Sequence, residues 1–491
     1  MTTARQGPAP APLTVPLVVG FDLDMTLVDS ADGIVAAIRH VLAAHGVEAS
    51  DAEVRATVGL PLDLVFPRWL SDLDYASLLA EYRAHYARYG IPATVPLPGA
   101  AQALSAVRAL GGRTVVVTAK KAEHAWEACR VAGLAPDEVV GELFAEAKGA
   151  VLRERGAFAY VGDHAGDVRA AAVAGALAVV VPTGPTSADV LAEAGADVVL
   201  PDLDGFPAWL SGAVLDHRLA DLERRLRALG SVLVAFSGGA DSALLLAAAV
   251  RALGADRVAA ATAISDSLPA GELAGARAFA AGLGVRLVTP VTHELDREGY
   301  RANAGDRCYF CKAELLEVLT PLAGELGLAA VATGTNADDV VAGFRPGIRA
   351  AAERGAATPL ADAGLSKAQV RTASRVWGLP TWDKPQAACL SSRIAYGLQV
   401  TPSRLRRVDV AERAVRAALA AEGIVSPDVR VRDLGEAARV EVTPSAVAAA
   451  AASPAVAEAV RSAGFGAVEV DPRGFRSGAM NELLDEPDRY R

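Results

Sequence analysis

Twice along this chain a short β-branched apolar run breaks off at a polar or glycine-rich loop and resumes as a helical pattern. The two stretches are PLVVGFDLDMTLVDS over 16–30 and SVLVAFSGGADSALLLAAAV over 231–250. An uninterrupted apolar run of this kind marks a strand buried on both faces, and such strands belong to parallel sheets covered by helices. Similar runs recur at 113–118, 158–163, 178–182, 257–263, 286–290 and 329–334, with helical patterns between them. This alternation predicts doubly wound α/β domains. A chain of 491 residues has room for about three domains.

The Pro- and Gly-bearing stretch PDLDGFPAWLSG, 201–212, follows the last apolar run of the first set and marks a boundary. The sequence therefore predicts domains over 15–212, 213–384 and 385–491, preceded by a disordered Pro/Ala arm over 1–14. In the last segment RVRDLGEAARVEV reads as an antiparallel strand pair, which makes that domain a small α+β unit. SAVAAAAASPAVAEAV reads as one or two Ala-rich helices interrupted at Pro454. No basic-then-apolar signal pattern opens the chain, and its best apolar run is broken by Ser237, Asp241 and Ser242. A cytoplasmic, reducing location without membrane contact is expected. A net charge of −10 argues against broad nucleic-acid binding, although Arg404, Arg406 and Arg407 could form a local basic patch.

Asp22 and Asp24 stand at the C-terminal end of the first buried strand, the edge where open α/β sheets bind ligands. Two carboxylates there repel each other unless a cation joins them, and Mg²⁺ suits such oxygen ligands. Alone, the DxD pair could be a solvated turn. Thr118 at the end of another strand, Lys148 at a helix start, and Asp163 and Asp167 after a third strand extend the pattern. In FSGGADS, 236–242, Gly238 and Gly239 let backbone amides approach an anion. Ser237 and Ser242 add hydroxyl donors, and the next helix points its positive end at the same place. The lysine of a Walker loop is absent. GTNADD, 334–339, suits nucleotide or metal contacts, or is an Asx-rich turn. Two of the four cysteines, Cys308 and Cys311, fall in RCYFCK. That spacing fits a redox pair, a zinc corner or iron–sulfur ligands. Cys129 lies in a helical stretch and reads as a small buried residue. Trp377 and Trp382 read as packing residues.

Over about 15–210 these motifs, in order, resemble the haloacid dehalogenase superfamily of the phosphoglycolate-phosphatase type. The resemblance implies a Rossmann-like domain with a helical cap over about 30–96. It implies Asp22 as nucleophile and Asp24 as general acid/base. Thr118 and Lys148 would hold the phosphoryl oxygens. Mg²⁺ would lie among Asp22, Asp24, Asp163 and Asp167. The loop 236–242, with Asp241, resembles the ATP pyrophosphatase (PP-loop) family, which implies ATP cleavage to an adenylate. With RCYFCK, QAACLSSRIAYG and DPRGFRSGAMNE, the region 216–491 resembles the LarE family. That family uses ATP to convert a carboxylate of pyridinium-3,5-biscarboxylic acid mononucleotide into a thiocarboxylate, for the nickel-pincer nucleotide cofactor of lactate racemase. In one branch the sulfur comes from a sacrificed cysteine at the position of Cys389. In another, three cysteines at the positions of Cys308, Cys311 and Cys389 hold a [4Fe–4S] cluster; the cysteine pattern favours this branch. The resemblance places substrate-phosphate arginines near Arg430 and Arg432. It implies a homo-oligomer that works with nickel-insertion and biscarboxylate-synthesis enzymes, and no nucleic acid. A tRNA thiolase shares the adenylating loop, and the phosphatase-like part could be a silent scaffold. The phosphatase part is otherwise expected to act on a phosphorylated intermediate or by-product of the same pathway.

Overall fold

The computed structural model describes residues 17–70, 74–341, 346–385, 389–476 and Met480. The expected arm 1–14 lies outside them, as does most of DPRGFRSGAMNE after Arg476. The chain forms two compact units that meet at His217/Arg218, against the boundary at 212 read from sequence. The last predicted domain, 385–491, falls within the second unit, although it has its own sheet.

The first unit holds strands β1 (Val18–Phe21), β2 (Val28–Asp29), β3 (Val95–Pro96), β4 (Arg113–Val117), β5 (Glu138–Val140), β6 (Ala159–Gly162), β7 (Leu177–Val180) and β8 (Val198–Val199). Six of them make a parallel sheet in the order β5-β4-β1-β6-β7-β8. Its two faces feed separate cores: Val19 and Phe21 pack with Leu104 and Phe206, while Val18 and Tyr160 pack with Leu152 and Val168. Burial on both faces explains why these strands read as unbroken apolar runs.

After β1 the chain leaves the sheet through β2 and returns through β3, which pair as an antiparallel ribbon with Val28 opposite Pro96. Between them lies a helical body with helices 31–44, 51–55, 62–65 and 75–85. Ile34, Val35, Ile38, Val41 and Leu42 recur at helical spacing and face a core with Val54, Phe66, Leu78 and Tyr82. A Ser50–Glu53 capping box starts the second of these helices. This body is the segment expected as a cap.

The second unit contains β9 (Val232–Ala235), β10 (Val258–Ala261), β11 (Arg286–Val288) and β12 (Ala330–Thr333), parallel in the order β11-β10-β9-β12. A separate sheet of β13 (Val429–Asp433), β14 (Ala437–Val442) and β15 (Ala467–Val470) follows. β13 and β14 are antiparallel, as read from sequence; β15 joins β14 in parallel and was not foreseen. The Ala-rich tract forms two helices, with Ser453 capping the one that begins at Pro454. Among the described residues no helix is long and apolar enough to cross a membrane.

Buried ion pairs hold this second sheet. Asp433, fully buried, accepts from Arg404 at 2.8 Å and Arg407 at 2.6 Å. The basic patch suggested by sequence is therefore corrected: two of its three arginines are neutralised by a carboxylate distant in sequence. Arg393 pairs with Glu412 at 2.8 Å, both buried. Removing one partner strands the other charge, so Arg393→Leu is expected to cost roughly 3 kcal/mol. Denaturant unfolding of the full chain measures this; a loss below 1 kcal/mol, about the ceiling for an exposed pair, would contradict it.

Candidate active sites

β4, β1 and β6 are neighbours in the first sheet, so their C-terminal ends deliver Thr118, Asp22 and Asp163 to one edge. The helices 146–154 and 165–174 bring Lys148 and Asp167 to the same place. Lys148 Nζ lies 3.0 Å from Asp22 Oδ1 and 2.8 Å from Asp167 Oδ1, deep in the protein. The Leu23 amide donates to Asp22 Oδ1 at 2.8 Å, and Thr26 donates to Asp163 Oδ1 at 2.9 Å.

Asp22, Asp163 and Asp167 each offer an oxygen within 4.8 Å of the others'. Burial, with Asp167 and Asp24 nearby, pushes the Asp22 pKa up to about 7 despite Lys148. Burial, with Asp22 and Asp167 nearby, holds Asp163 well above the usual carboxylate range. Burial alone would lower the Lys148 pKa, but Asp167 and Asp22 outweigh it and raise it. One ammonium against three carboxylates leaves excess negative charge in low dielectric. An oxygen-preferring divalent cation would relieve it, so the donor set fits Mg²⁺.

Asp24, expected among the metal ligands, lies outside that group. Its carboxylate accepts from Lys120 Nζ at 2.6 Å and from the Ser30 hydroxyl. Lys120 also donates to the Tyr86 hydroxyl at 2.6 Å, which ties the helical body to the sheet. Neither Lys120 nor Tyr86 was found from sequence. Lys120 had a local signal, two residues after Thr118 in TAKK, whereas Tyr86 had none. A cavity of about 510 Å³ opens beside these groups, lined by Asp22, Asp24, Thr118, Lys120, Lys148 and the helical body. Cys129 is buried in the core, where burial raises its thiol pKa to about 11; it is a packing residue as expected.

In the second unit β9 ends at Ala235, and Ser237–Gly239 form the turn into helix 240–253. Gly238 takes φ +71°, a left-handed conformation that a side chain would resist. Ser237 and Ser242 hydroxyls lie 3.1 Å apart, and Ser242 donates to the Gly239 carbonyl at 3.2 Å. Asp241 is held by Lys367 at 2.5 Å and Asn336 at 3.3 Å. Lys384 donates to the Gly238 carbonyl at 3.1 Å and pairs with Glu272 at 2.8 Å. GTNADD thus serves as a capping turn and also reaches the glycine loop: Asn336 and Asp339 exchange hydrogen bonds, while Gly334 backs onto Ser242. A Cβ on Gly334 would sit 2.8 Å from the Ser242 amide nitrogen. Gly334→Ala is expected to displace the start of helix 240–253 and to destabilise the fold by about 1–3 kcal/mol, the cost of overpacking. Denaturant unfolding of the full chain measures this; an unchanged stability would contradict it.

Cys308 and Cys311 lie in the first two turns of helix 307–325, one turn apart on one face. Cys308 is exposed; Cys311 and Cys389 are half-buried. Between the two segments sits Arg307. It donates to the Ser391 carbonyl at 2.8 Å, and the Tyr300 hydroxyl bonds the Ser391 hydroxyl. Arg393 and Ser392 hold the Cys389 carbonyl at 3.0 and 2.8 Å. Burial pushes the Cys311 thiol up strongly, and nearby Cys389, Glu294 and Cys308 add to the shift. Burial would lower the Arg307 pKa, but Cys308 and Cys389 outweigh it. Cys311, which burial and two neighbouring thiols keep from ionising, lies with Cys308 beside a guanidinium at a helix N-terminus; this donor set fits a cationic group that binds thiolates.

A cavity of about 370 Å³ is lined both by Ser237, Asp241 and Ser242 and by Cys311, Lys312 and Cys389. Lys312, the last residue of RCYFCK, was passed over in the sequence; burial lowers its pKa although Cys311 and Cys308 oppose that. Arg430 and Arg432 do not line this cavity. They alternate with valines along β13, and both are buried. Arg432 pairs with Glu441 at 2.6 Å and donates to the Ser392 carbonyl at 3.0 Å, which places it behind the Cys389 segment. Burial and neighbouring Arg393 lower the Arg430 pKa to about 10. Trp377 lies under Arg251, and Trp382 is partly exposed beside Arg375.

Residues 19–181 match the model of the haloacid dehalogenase-like hydrolase family. The chain is 40% identical over 274 residues to an uncharacterized protein of Synechocystis sp., covering 55% of this chain and 99% of that one. It is 33% identical over 273 residues to the pyridinium-3,5-bisthiocarboxylic acid mononucleotide synthase of Lactiplantibacillus plantarum, covering 55% of this chain and 96% of that one. It is 32% identical over 221 residues to a phosphoglycolate phosphatase of Rhodospirillum rubrum, covering 40% of this chain and 91% of that one.

Proposed function

Because this chain belongs to the LarE family and carries a haloacid dehalogenase-like domain ahead of that region, we propose that it is a bifunctional enzyme of cofactor assembly. Its second unit would be an ATP-dependent sulfur transferase acting on pyridinium-3,5-biscarboxylic acid mononucleotide. The observation that carries this reading is the single cavity shared by the glycine loop and two of the three thiols. A carboxylate is a poor electrophile until it has a leaving group. In this reading a carboxylate oxygen attacks the α-phosphorus of ATP, the α–β bond breaks, and pyrophosphate departs. Ser237, Ser242 and the loop amides hold the phosphates at the positive end of helix 240–253. Lys312 offsets charge within the cavity. A sulfur nucleophile then attacks the acyl carbon, and AMP leaves with the original oxygen.

Cys308, Cys311 and Cys389 would hold a [4Fe–4S] cluster, which when bound supplies a replaceable sulfide. Arg307 and Tyr300 fix the two cysteine segments against each other. Anaerobic purification with iron and sulfide analysis tests this reading, followed by intact mass after turnover with ATP and the biscarboxylate mononucleotide. Bound iron, AMP formation and an unchanged mass are expected. Loss of the elements of H₂S from Cys389 would replace the cluster with a sacrificial cysteine. Turnover only with tRNA would replace the whole reading with a tRNA thiolase.

In the first unit Asp22 would attack a phosphomonoester and form an aspartyl-phosphate as the P–O ester bond breaks. Asp24 would give the leaving alkoxide its proton, and water would then release phosphate and regenerate Asp22. Thr118 and Lys148 would hold the phosphoryl oxygens. Asp22, Asp163 and Asp167 would hold Mg²⁺, which when bound screens the repulsion between carboxylate and phosphate. A chelator should abolish phosphate release and added Mg²⁺ restore it; activity that survives exhaustive chelation would contradict the assignment. Cytoplasmic location, self-association, and work alongside nickel-insertion and biscarboxylate-synthesis enzymes belong to the same proposal.

A further inference from the structure

The cavity over Asp22 is large for a two-carbon substrate. At about 510 Å³ it holds roughly seventeen waters at ~30 Å³ each, so a ligand that fills it needs well over a dozen non-hydrogen atoms. Its lining is graded. The charged groups lie at the sheet end, and the helical body supplies a wall that is mostly aromatic and aliphatic. That wall begins at the chemistry, because the Tyr86 hydroxyl reaches Lys120, which reaches Asp24. From there Tyr82 stacks on Tyr86, with centroids 5.7 Å apart and planes within 9°. His124 lies beside Tyr86, with ring centroids 6.2 Å apart. Leu64 and Tyr75 also line the cavity yet are 55% and 38% exposed, apolar surface with room for a ligand to cover it. Glu142 and Arg83, paired across the helical body and the sheet domain, add a polar edge to the same cavity.

We infer that the substrate of this site is a mononucleotide: a 5′-phosphoribosyl group bearing a flat heteroaromatic ring. The inference rests on the phosphatase reading above and deepens it. The phosphate would sit at Asp22 and Lys148. The ribose hydroxyls would meet the Glu142–Arg83 edge, and the ring would lie against Tyr75 and Leu64, the exposed apolar part of that wall. Hydrolysis breaks the bond between phosphorus and O5′; Asp24 protonates O5′, and water supplies the oxygen that ends on inorganic phosphate. Two sources share this chemistry: the adenylate released by the proposed sulfur transfer, and a pyridinium mononucleotide.

The test measures phosphate release by the full-length protein with Mg²⁺ from AMP, nicotinamide mononucleotide, phosphoglycolate and p-nitrophenyl phosphate. A mononucleotide kcat/KM at least about tenfold above that for phosphoglycolate is expected, and the better of the two mononucleotides identifies the source. Tyr75→Ala should cut the mononucleotide-to-phosphoglycolate ratio about fivefold, the size of one stacked aromatic contact; Tyr75→Phe should keep it. The ratio is internal, so a partly misfolded variant does not distort it. Preference for phosphoglycolate, or a ratio indifferent to Tyr75→Ala, overturns the inference and leaves a phosphatase. Release from none of the four esters overturns the phosphatase reading and the inference with it.

Discussion

Asp22→Asn should reduce phosphate release by about 10⁴-fold or more, because in the proposed mechanism Asp22 is the nucleophile and an amide cannot take its place. The same variant should be more stable than the parent when metal is removed. The Asp22 carboxyl has a pKa of about 7 in the folded protein against an ordinary value of 3.8. A group that keeps its proton longer when folded binds more protons in the native state, so its contribution to stability falls as pH rises. The penalty is absent below 3.8, grows up to about 7 and is complete above it. Asparagine carries no charge and escapes it. Thermal unfolding in chelator at pH 8 should therefore favour Asp22→Asn, with the gap closing toward pH 4. Equal melting temperatures at both pH values would contradict the electrostatic account; undiminished phosphatase activity would contradict the catalytic one. Pyrophosphate release by the second unit should not change.

Cys389→Ala should remove thiocarboxylate formation altogether, a loss of at least about 10³-fold, while ATP–pyrophosphate exchange stays within a few-fold of the parent. In the proposed reaction adenylation depends on Ser237, Ser242 and the helix behind them, and Cys389 lies elsewhere on the cavity wall. Cys308→Ser separates the two sources of sulfur. It should lower bound iron and sulfur transfer together if three thiolates carry the cluster. It should leave transfer intact if Cys389 alone donates sulfur. Loss of exchange in Cys389→Ala would show that the cysteine supports nucleotide binding instead, and would break the division of labour argued above.

The placement of Asp22, Thr118 and Asp163 was legible in the sequence because each follows directly on an apolar strand. In a parallel sheet, strand ends that share a direction share an edge. Lys120 was half legible, close to Thr118 but indistinct from Lys121. Tyr86 was not legible. It lies in a helical body whose apolar residues look like any helix core, and its partner is 34 residues away. Arg404 and Arg407 were misjudged for a similar reason, since the carboxylate that neutralises them, Asp433, is 26 or more residues further on. Arg430 and Arg432 alternate with valines in the sequence, and nothing in that spacing shows that both are buried. Period-two spacing assigns residues to faces but does not say which faces the rest of the chain covers.

The sequence by itself determined the two α/β sheets, the carboxylates that follow β1 and β6, and the glycine loop that follows β9. Each is written in a local run of side chains whose geometry the backbone repeats wherever it occurs. Only the tertiary structure decided that the loop and two of the thiols open onto one cavity, and that Asp24 turns to Lys120 rather than to the metal carboxylates. It also decided that the strand arginines are buried. These outcomes depend on which distant segments pack together, and burial then sets the strength of every charge by removing the water that would have screened it.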